Sequence, residues 1–321
     1  MERYEWIATA AFGLEGIVAR ELVRLGIDAK AENGGARFFG TFEDAFKANL
    51  HARCADRILL VVGRFEARSF EELFEGVRAL PWENFIGEHT RFPVNGKCAR
   101  SQLMSVRDCQ SITKKAIVER LRSRYHTDWF VEDGETASID VALHGDIAQL
   151  TLDASGTALN RRGYRTWNGE APLRETLAAA LVTLSPWRPG MPLHDPMCGT
   201  GTLMIEAAMR MAHRAPGLTR PFAIESWRGM PTDAFDQIRE QAKADFDPSL
   251  IEGISGSDID PEAVELARRH LRQAGLENRV HFEVADMRDC RRTEERGVFL
   301  CNPPYGERLS DRKACETLYH D

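Results

Sequence analysis

A short run near the carboxyl end of the sequence, Asn302-Pro303-Pro304-Tyr305-Gly306, carries groups suited to holding an amine. An exocyclic amine on a nucleobase is a poor nucleophile because its lone pair is delocalised into the adjacent π-system. Hydrogen bonds from its N–H groups to the Asn302 side-chain oxygen and the Pro303 carbonyl would localise that lone pair and aim it at an electrophile. The prolines restrict the turn, and Tyr305 can stack on the target ring. The run therefore suits chemistry at an amino nitrogen that depends on orientation and electrostatics, without a metal or a dedicated base. A chance turn in a loop is the alternative interpretation of these residues taken alone.

A glycine-rich turn earlier in the chain could hold a second ligand. Gly199 and Gly201 follow Asp195, which ends a short predicted strand, and an apolar helix is predicted from Thr202. This order suits a nucleotide-type ligand, because glycine lets the backbone approach closely and the helix N-terminus offers unpaired N–H groups. The GxGxxG fingerprint is not satisfied, so a dinucleotide is disfavoured. A plain α/β turn is the alternative interpretation.

Aspartates at the ends of two further predicted strands could complete that ligand site. Asp258 follows a strand predicted over 251–257, where an acidic residue commonly accepts hydrogen bonds from ribose hydroxyls. Asp286 ends a strand predicted over 280–285 and would lie where an adenine amino group could bind. Each aspartate could instead cap a helix, and for Asp260 capping is the favoured interpretation.

Two other elements bear on the position of this site. A helix is predicted over 173–184, and its first turn, including Thr176, would border the ligand because helix N-termini attract carboxylates. The 57 residues from Gly201 to Asp258 exceed the roughly 20 expected in dinucleotide folds. An insertion is therefore predicted over about 212–246.

Length and composition allow an ordinary folded chain of about two domains. The 321 residues contain 42 Lys and Arg against 49 Asp and Glu, a net charge of −7. No run approaches the roughly 20 apolar residues of a membrane span, and no basic segment leads into an apolar one at the start, so a cytoplasmic location is expected. The seven scattered cysteines lack ligand spacing, which favours reduced thiols and no metal.

The first half of the chain predicts an α+β fold with a locally basic surface. Strands alternate with helices and end in an antiparallel hairpin over 136–153. Residues 91–124 carry nine basic side chains against two acidic ones, a local net charge of +7. Much of that charge lies on a helix predicted over 105–125, mainly off its apolar face. Such charge suits a phosphate backbone, although a solvated face is the commoner explanation.

Three runs in this half resemble a known family. They are ATAAFGLEGIVARELVRLG, RCADRILLVVGRFEARSFEELFEGV and FPVNGKCARSQLMSVRDCQSITKKAIVERL. They are similar to the N-terminal half of the bacterial THUMP-containing RNA methyltransferases, and most similar to the members that modify guanine N2 in large-subunit ribosomal RNA. The resemblance implies an RNA-binding half over 1–155, with a ferredoxin-like region over about 1–60 and a THUMP domain over about 44–155. It makes the basic helix an RNA-contact candidate through Arg107, Lys114 and Lys115.

The junction and the second half extend the resemblance. LNRRGYRTW followed by APLRETLAAAL is similar to the same junction in these enzymes, and its basic linker, 156–170, offers RNA contacts from Arg161, Arg162 and Arg165. An exposed linker without a ligand is the alternative. DPMCGTG, GSDID and NPPY, in this order within 171–321, resemble a class I S-adenosylmethionine-dependent methyltransferase acting on amino nitrogens. The resemblance implies that S-adenosylmethionine is held by Asp195, Gly199, Gly201, Asp258 and Asp286, and the target amine by residues 302–305.

The expected fold is therefore an α+β half, ferredoxin-like region plus THUMP, followed by an α/β Rossmann-like methyltransferase domain. Such a domain generally has seven strands, and only four are predicted here, so its later strands are expected to be missing. The favoured function is methylation of a guanine N2 in 23S rRNA, free or in a large-subunit assembly intermediate. A tRNA guanine-N2 methyltransferase and an RNA-binding protein with an inactive catalytic domain are the alternatives. DNA-adenine and protein-glutamine enzymes share NPPY, but the basic half argues against both.

Overall fold

A computed structural model describes residues 2–127, 129–165, 173–291 and 295–303. The chain forms two compact units, the first from Met1–Leu159 with Arg220–Glu240, and the second from Asn160–Thr219 with the chain from Gln241 onward. The predicted insertion, 212–246, thus contributes its central part to the first unit. Within the described ranges, no helix is long and apolar enough to cross a membrane.

The first unit contains a seven-stranded sheet in the order β2-β3-β1-β4-β7-β6-β5. The strands are antiparallel to their neighbours except for β5 and β6, which are parallel. Its elements are β1 (Tyr4–Thr9), α1 (Glu15–Arg24), β2 (Ala29–Glu32), β3 (Gly35–Gly40), α2 (Phe42–His51), β4 (Arg57–Glu66), α3 (Phe70–Ala79), β5 (Val94–Ala99), α4 (Val106–Tyr125), β6 (Ile139–His144) and β7 (Ile147–Asp153). The sequence did not indicate β2, whose residues AKAE include three exposed positions and two charged side chains, as is common on an edge strand.

The long strand β4 makes one continuous sheet of the ferredoxin-like and THUMP regions. It pairs with β1 on one side and with β7 on the other. Its register with β7 shifts between Val61 and Gly63, and this bulge twists the sheet where the two regions join. The α+β fold predicted for this half is confirmed.

The helix α4 lies along the edge of this sheet that β5 forms. It begins after Ser105, whose hydroxyl accepts a hydrogen bond from the Asp108 backbone N–H, and ends at His126 in a left-handed conformation. Its inner face includes a polar residue, and its first turn leaves an apolar residue partly at the surface. Thr113 is buried, whereas Val106 in the first turn is 36% exposed.

The second unit is built on a parallel sheet of four strands, in the order β10-β9-β8-β11, within the described residues. Its strands and helices are α5 (Glu175–Leu184), β8 (Leu193–Asp195), α6 (Thr202–Met211), β9 (Ile254–Asp258), α8 (Pro261–Gln273), β10 (His281–Val284) and β11 (Val298–Phe299). α5, α6, α8 and the strands share one apolar core, with Met204, Leu271 and Phe282 among its buried members. This is the predicted Rossmann-like arrangement. The remaining helix, α7 (Thr232–Ala244), lies within the inserted segment.

Candidate active site and nucleic-acid interface

The carboxyl ends of β8, β9 and β11 form the candidate active site. The strand order reverses beside β8, with β9 on one side and β11 on the other, and ligands of open α/β sheets bind at such a reversal. A cavity of about 540 Å³ opens there, and its lining includes Asp195, Gly199, Asp258 and Asn302. Four of the sequence-predicted residues, from three separate strands, are thus brought to one place.

Asp195 is the most buried carboxyl group of this cavity. Its residue is 2% exposed, and one carboxylate oxygen accepts a hydrogen bond from the Met197 backbone N–H at 3.1 Å. Burial, and to a lesser extent the nearby charge of Asp258, raise the pKa of Asp195 to about 7. The carboxyl therefore changes charge near neutral pH, depending on what occupies the cavity.

Asp258 braces the glycine-rich turn from the neighbouring strand. Its Oδ2 accepts a hydrogen bond from the Gly199 backbone N–H at 2.8 Å, and its Oδ1 accepts one from Asp260 N–H at 3.0 Å. Asp260 in turn caps α8 by accepting a hydrogen bond from Glu262 N–H at 2.9 Å. The capping interpretation of Asp260 is confirmed.

The two glycines of the turn have different surroundings. Gly199 has a φ of +51°, and a Cβ placed on it would meet no atom within 4 Å. Gly201 has a φ of +80°, and a Cβ there would lie 2.9 Å from the Ala267 side chain and 2.9 Å from the Phe282 ring. Gly199 thus leaves open space at the cavity, while Gly201 allows the turn to pack closely on α8 and β10.

Asn302 and Pro303 follow β11 at the same edge. β11 pairs with β8 in parallel, Val298 opposite Leu193, and the Leu300 N–H donates to the His194 carbonyl at 3.0 Å. The chain therefore leaves the sheet beside the turn that follows Asp195. Asn302 is exposed and lines the cavity, whereas Pro304 and Tyr305 lie outside the described residues.

Asp286 and Thr176 are not among the residues that line the 540 Å³ cavity. Asp286 caps the short 3₁₀ turn Met287–Asp289 and pairs with the Arg288 guanidinium, which holds the pKa of its carboxyl down to about 2. It lines a different cleft of about 880 Å³. Thr176 is buried in the first turn of α5, and near this turn it is Leu173 that lines the 540 Å³ cavity.

Two of the three arginines predicted as RNA contacts in the linker, Arg162 and Arg165, expose little of their side chains. Arg162 is 2% exposed, and its Nε lies 3.4 Å from the buried Glu206 carboxylate, which also accepts a hydrogen bond from the Tyr164 hydroxyl. A phosphate cannot reach it, so the prediction of an RNA contact at Arg162 is wrong. Arg161 is exposed and remains a candidate.

Arg165 belongs to the border of the cavity. Its side chain is 10% exposed, and Nη2 donates to the Thr202 hydroxyl at 2.7 Å and to the Leu173 carbonyl at 2.9 Å. Nη1 lies 3.5 Å from the Glu175 carboxylate. Arg165 thus ties the start of α6 to the segment before α5, a role that departs from the predicted RNA contact. Sequence reasoning missed it because Thr202 is 37 residues away.

The basic residues of α4 are only partly available to a nucleic acid. Arg107 and Lys115 are exposed. Lys114 donates to the Glu132 carboxylate at 2.6 Å and to the Phe92 carbonyl at 3.1 Å, and its ammonium lies 4.1 Å from the centre of the Phe92 ring. Lys114 is therefore largely satisfied within the protein, which weakens it as a phosphate ligand.

The cysteines and acidic residues form no recognisable metal site in the described ranges. No cluster of three or more His, Cys, Asp or Glu side chains occurs there. The cysteines of these ranges are free thiols, and Cys98 and Cys109 have their sulfur atoms 3.8 Å apart.

The first unit therefore contains a sheet of ferredoxin-like and THUMP regions, and the second is a Rossmann-like domain with a cavity where its strand order reverses. These are the features of a THUMP-containing methyltransferase. Family models match in the same order: an RlmL ferredoxin-like domain over residues 5–59, a THUMP domain over 67–153, and an RMKL-like methyltransferase domain over 162–321. YpsC of Bacillus subtilis (strain 168), provisionally named an RNA methyltransferase, is 44% identical over all of this chain and 84% of its own length. The chain belongs to the family of THUMP-containing, RlmKL-like methyltransferases.

Other relatives carry different names. The ribosomal RNA large subunit methyltransferase K/L of Syntrophotalea carbinolica is 36% identical over 98% of this chain and 46% of its own length. The crystal structure of SMU.472, described as a methyltransferase in complex with SAH, has a TM-score of 0.94 and 43% identity, covering 99% of this chain and 85% of that one. A Listeria monocytogenes structure with a TM-score of 0.95 and 43% identity, covering 99% of this chain and 84% of that one, is titled an N6-adenine-specific DNA methylase.

Proposed function

We propose that this protein transfers a methyl group from S-adenosylmethionine to the exocyclic N2 amine of a guanine in large-subunit (23S) rRNA. The observation that carries the proposal is the convergence of Asp195, Gly199, Asp258 and Asn302 on one cavity at the carboxyl edge of the sheet. The THUMP half supports an RNA substrate, and the K/L relative supports ribosomal RNA. A cytoplasmic location is part of the proposal, because it would place the enzyme with bacterial ribosomes.

The residues present fit S-adenosylmethionine. The glycine turn leaves open space at Gly199. The buried Asp195 carboxyl accepts a hydrogen bond from the Met197 N–H, and a cationic ligand would favour its ionised form. Asp258 would accept hydrogen bonds from the ribose hydroxyls, as acidic residues at this strand position commonly do. The bound donor supplies a methyl group on a positively charged sulfur. We keep Asp286 and Thr176 as weaker cofactor candidates, since Asp286 faces a different cleft.

The contribution of the protein to the reaction is orientation. A base flipped from its RNA would donate its amine hydrogens to the Asn302 side-chain oxygen and the Pro303 carbonyl, and Pro304 and Tyr305 would complete the binding turn. These acceptors favour the geometry in which the nitrogen lone pair points at the methyl carbon. Removing water and fixing the two reactants accounts for the expected rate increase without a dedicated base.

RNA binding is proposed for the exposed part of the basic surface. Arg107, Lys115 and Arg161 are exposed, and Lys114 would contribute only by exchanging its Glu132 partner for a phosphate. Phosphate contacts of this kind position an RNA without reading its sequence. Specificity would then come from the base accepted at Asn302.

The test is methyl transfer from isotope-labelled S-adenosylmethionine to 23S rRNA, to tRNA and to duplex DNA in parallel. The modified nucleoside is then identified by mass spectrometry after digestion. Labelled N2-methylguanosine from 23S rRNA is expected. The same nucleoside from tRNA alone would overturn the ribosomal target, and labelled N6-methyl-2′-deoxyadenosine from DNA would overturn the RNA substrate. RNA binding and cofactor binding without any label would favour an inactive catalytic domain.

A further inference from the structure

We propose that Cys98 and Cys109 are a reversible modification site, at which an oxidant forms a disulfide that ties α4 to β5 within the first unit. Their sulfur atoms lie 3.8 Å apart, in contact but not bonded, whereas a disulfide requires about 2.0 Å. Both cysteines are free thiols. The proposed methyl transfer neither requires nor predicts this modification, which would make the first unit respond to the thiol–disulfide balance around the protein.

The packing of α4 on β5 places the two thiols opposite each other. Side chains alternate along β5, so Val94, Gly96 and Cys98 share one side of the strand. α4 packs on that side, because a Cβ on Gly96 would lie 2.9 Å from the Gln110 side chain, and Gln110 Nε2 donates to the Val94 carbonyl at 3.2 Å. Cys109 precedes Gln110 and is buried. The sulfur contact therefore belongs to the packing of a helix on a strand.

The segment between β5 and α4 is held in place by hydrogen bonds. The Ser101 hydroxyl oxygen accepts one from the Asp146 backbone N–H at 3.0 Å, and the Gln102 N–H donates to the Asp146 carboxylate at 2.7 Å. Ser105 then caps the start of α4. Oxidation therefore needs no prior closure of a loop, and each thiol meets the other at a high effective concentration.

The different exposure of the two thiols sets the order of their reactions. Cys98 is partly exposed, whereas Cys109 is fully buried. Burial, followed by the contact with Cys98, raises the pKa of Cys109 to about 12, so this thiol stays protonated at neutral pH. A protonated, buried thiol reacts poorly with reagents in solution. An oxidant is therefore expected to react first with Cys98, and Cys109 then acts as the internal partner.

The oxidant is a low-molecular-weight disulfide, for which glutathione disulfide is the probe. The Cys98 sulfur attacks one glutathione sulfur, a mixed disulfide forms, and the first glutathione leaves as a thiol with the Cys98 proton. The Cys109 sulfur then attacks the Cys98 sulfur, and the second glutathione leaves with the Cys109 proton. Two protein thiols are oxidised to one disulfide, while one glutathione disulfide is reduced to two thiols. An excess of dithiothreitol reverses the exchange.

The experiment treats the reduced full chain with glutathione disulfide under native conditions. The remaining thiols are then blocked with N-ethylmaleimide in denaturant, and tryptic peptides are identified by mass spectrometry. Trypsin cuts between the two cysteines, so the expected product joins peptide 98–100 to peptide 108–114, and dithiothreitol should separate them. Glutathione that accumulates on Cys98 without this joined pair would overturn the proposal, as would a disulfide that links two chains.

Variants test the role of each cysteine. Cys109→Ala should stop at the mixed disulfide on Cys98. Cys98→Ser should lose its Cys109 thiol at least about tenfold more slowly than the wild type, because that thiol is buried. Cys290→Ser removes another partly exposed cysteine and is the matched control, which should form the disulfide at the wild-type rate. Equally fast loss of the Cys109 thiol in Cys98→Ser would contradict the proposed order of reaction.

Discussion

Asn302 is the side chain that the proposed reaction depends on most, because its oxygen would accept a hydrogen bond from the target amine. Asn302→Ala is expected to lower the rate of methyl transfer by roughly 100-fold or more, a typical loss for one positioned group at a reacting centre. The dissociation constant of S-adenosylmethionine should change less than about twofold, since Asp195 and Asp258 remain. Single-turnover transfer and calorimetric titration measure the two quantities. Asn33→Ala, in an exposed turn, is the control, and an active Asn302→Ala protein would contradict the mechanism.

Asp195 should make cofactor binding depend on pH. Burial raises the pKa of this carboxyl to about 7, so much of it is protonated at pH 6 and unable to attract the positive charge of S-adenosylmethionine. Affinity is expected to fall about tenfold from pH 8 to pH 6, as required for binding to an ionised group with that pKa. Titration calorimetry at both values measures it. Asp195→Asn should bind weakly and without this slope, and an equal slope in the variant would assign the effect to another group.

The same raised pKa affects the stability of the fold in the opposite direction, because it favours the folded state at low pH. A carboxyl that binds its proton more tightly in the folded state than in the unfolded chain stabilises the fold at acid pH. That contribution is complete below the ordinary pKa of 3.8 and is lost as the pH rises through about 7. Ligand binding and the stability of the empty site thus oppose each other at Asp195.

Single residues also show where sequence reasoning reached its limit. The cap at Asp260 depends on a backbone N–H two residues away, and local sequence predicted it. Arg162 and Arg165 looked like solvated linker residues, but their partners, Glu206 and Thr202, lie 44 and 37 residues further along the chain. Whether an arginine is exposed depends on such distant contacts, which spacing does not encode.

At the scale of elements, the glycine-rich turn between β8 and α6 offers a matched pair of substitutions. Gly201→Ala should destabilise the protein by roughly 2–4 kcal/mol, because its φ of +80° is strained for alanine and the new Cβ would press on Ala267 and Phe282. Gly199→Ala has a φ of +51° and open space, so only the backbone cost of about 1 kcal/mol is expected. Urea unfolding of the two variants measures the difference. Equal losses would show that packing on α8 and β10 does not distinguish the two glycines.

The elements of the site were predictable because each is a local strand–turn–helix pattern. The strands before Asp195, Asp258 and Asn302 are short runs that lead into polar or glycine-rich turns, and parallel strands bring such turns to one edge. β2 was missed since it has only four residues, AKAE, whose small alanines and charged side chains carry little strand signal. The parallel pairing of β5 with β6 depends on a crossover through α4. Which strands pair depends on the arrangement of the whole sheet, so a short stretch of sequence cannot predict it.

At the scale of the molecule, the inserted segment explains the unusually long separation between Gly201 and Asp258, because its central residues pack into the first unit. The excess residues between Gly201 and Asp258 predicted an insertion, but nothing in their composition indicated the unit they join. Residues 220–240 cluster with the first unit, where Phe235 stacks on Phe46 with ring centroids 4.4 Å apart. The Arg239 guanidinium lies 5.2 Å from the same Phe46 ring. Residues 220–240 of the inserted segment therefore belong to the core of the first unit.

A substitution of Trp227 tests whether the inserted segment stabilises the first unit. Its ring stacks on Trp6 and packs edge-on against Phe85, so Trp227→Ala should leave a cavity in the first unit and cost roughly 3–5 kcal/mol. Arg228→Ala, at the exposed neighbouring position, should change stability by less than about 0.5 kcal/mol. Hydrogen exchange should then show weaker protection of β1 in Trp227→Ala, because Trp6 lies on that strand, while β9 stays protected. Equal protection of β1 in both variants would mean that the inserted segment adds no stability to the first unit.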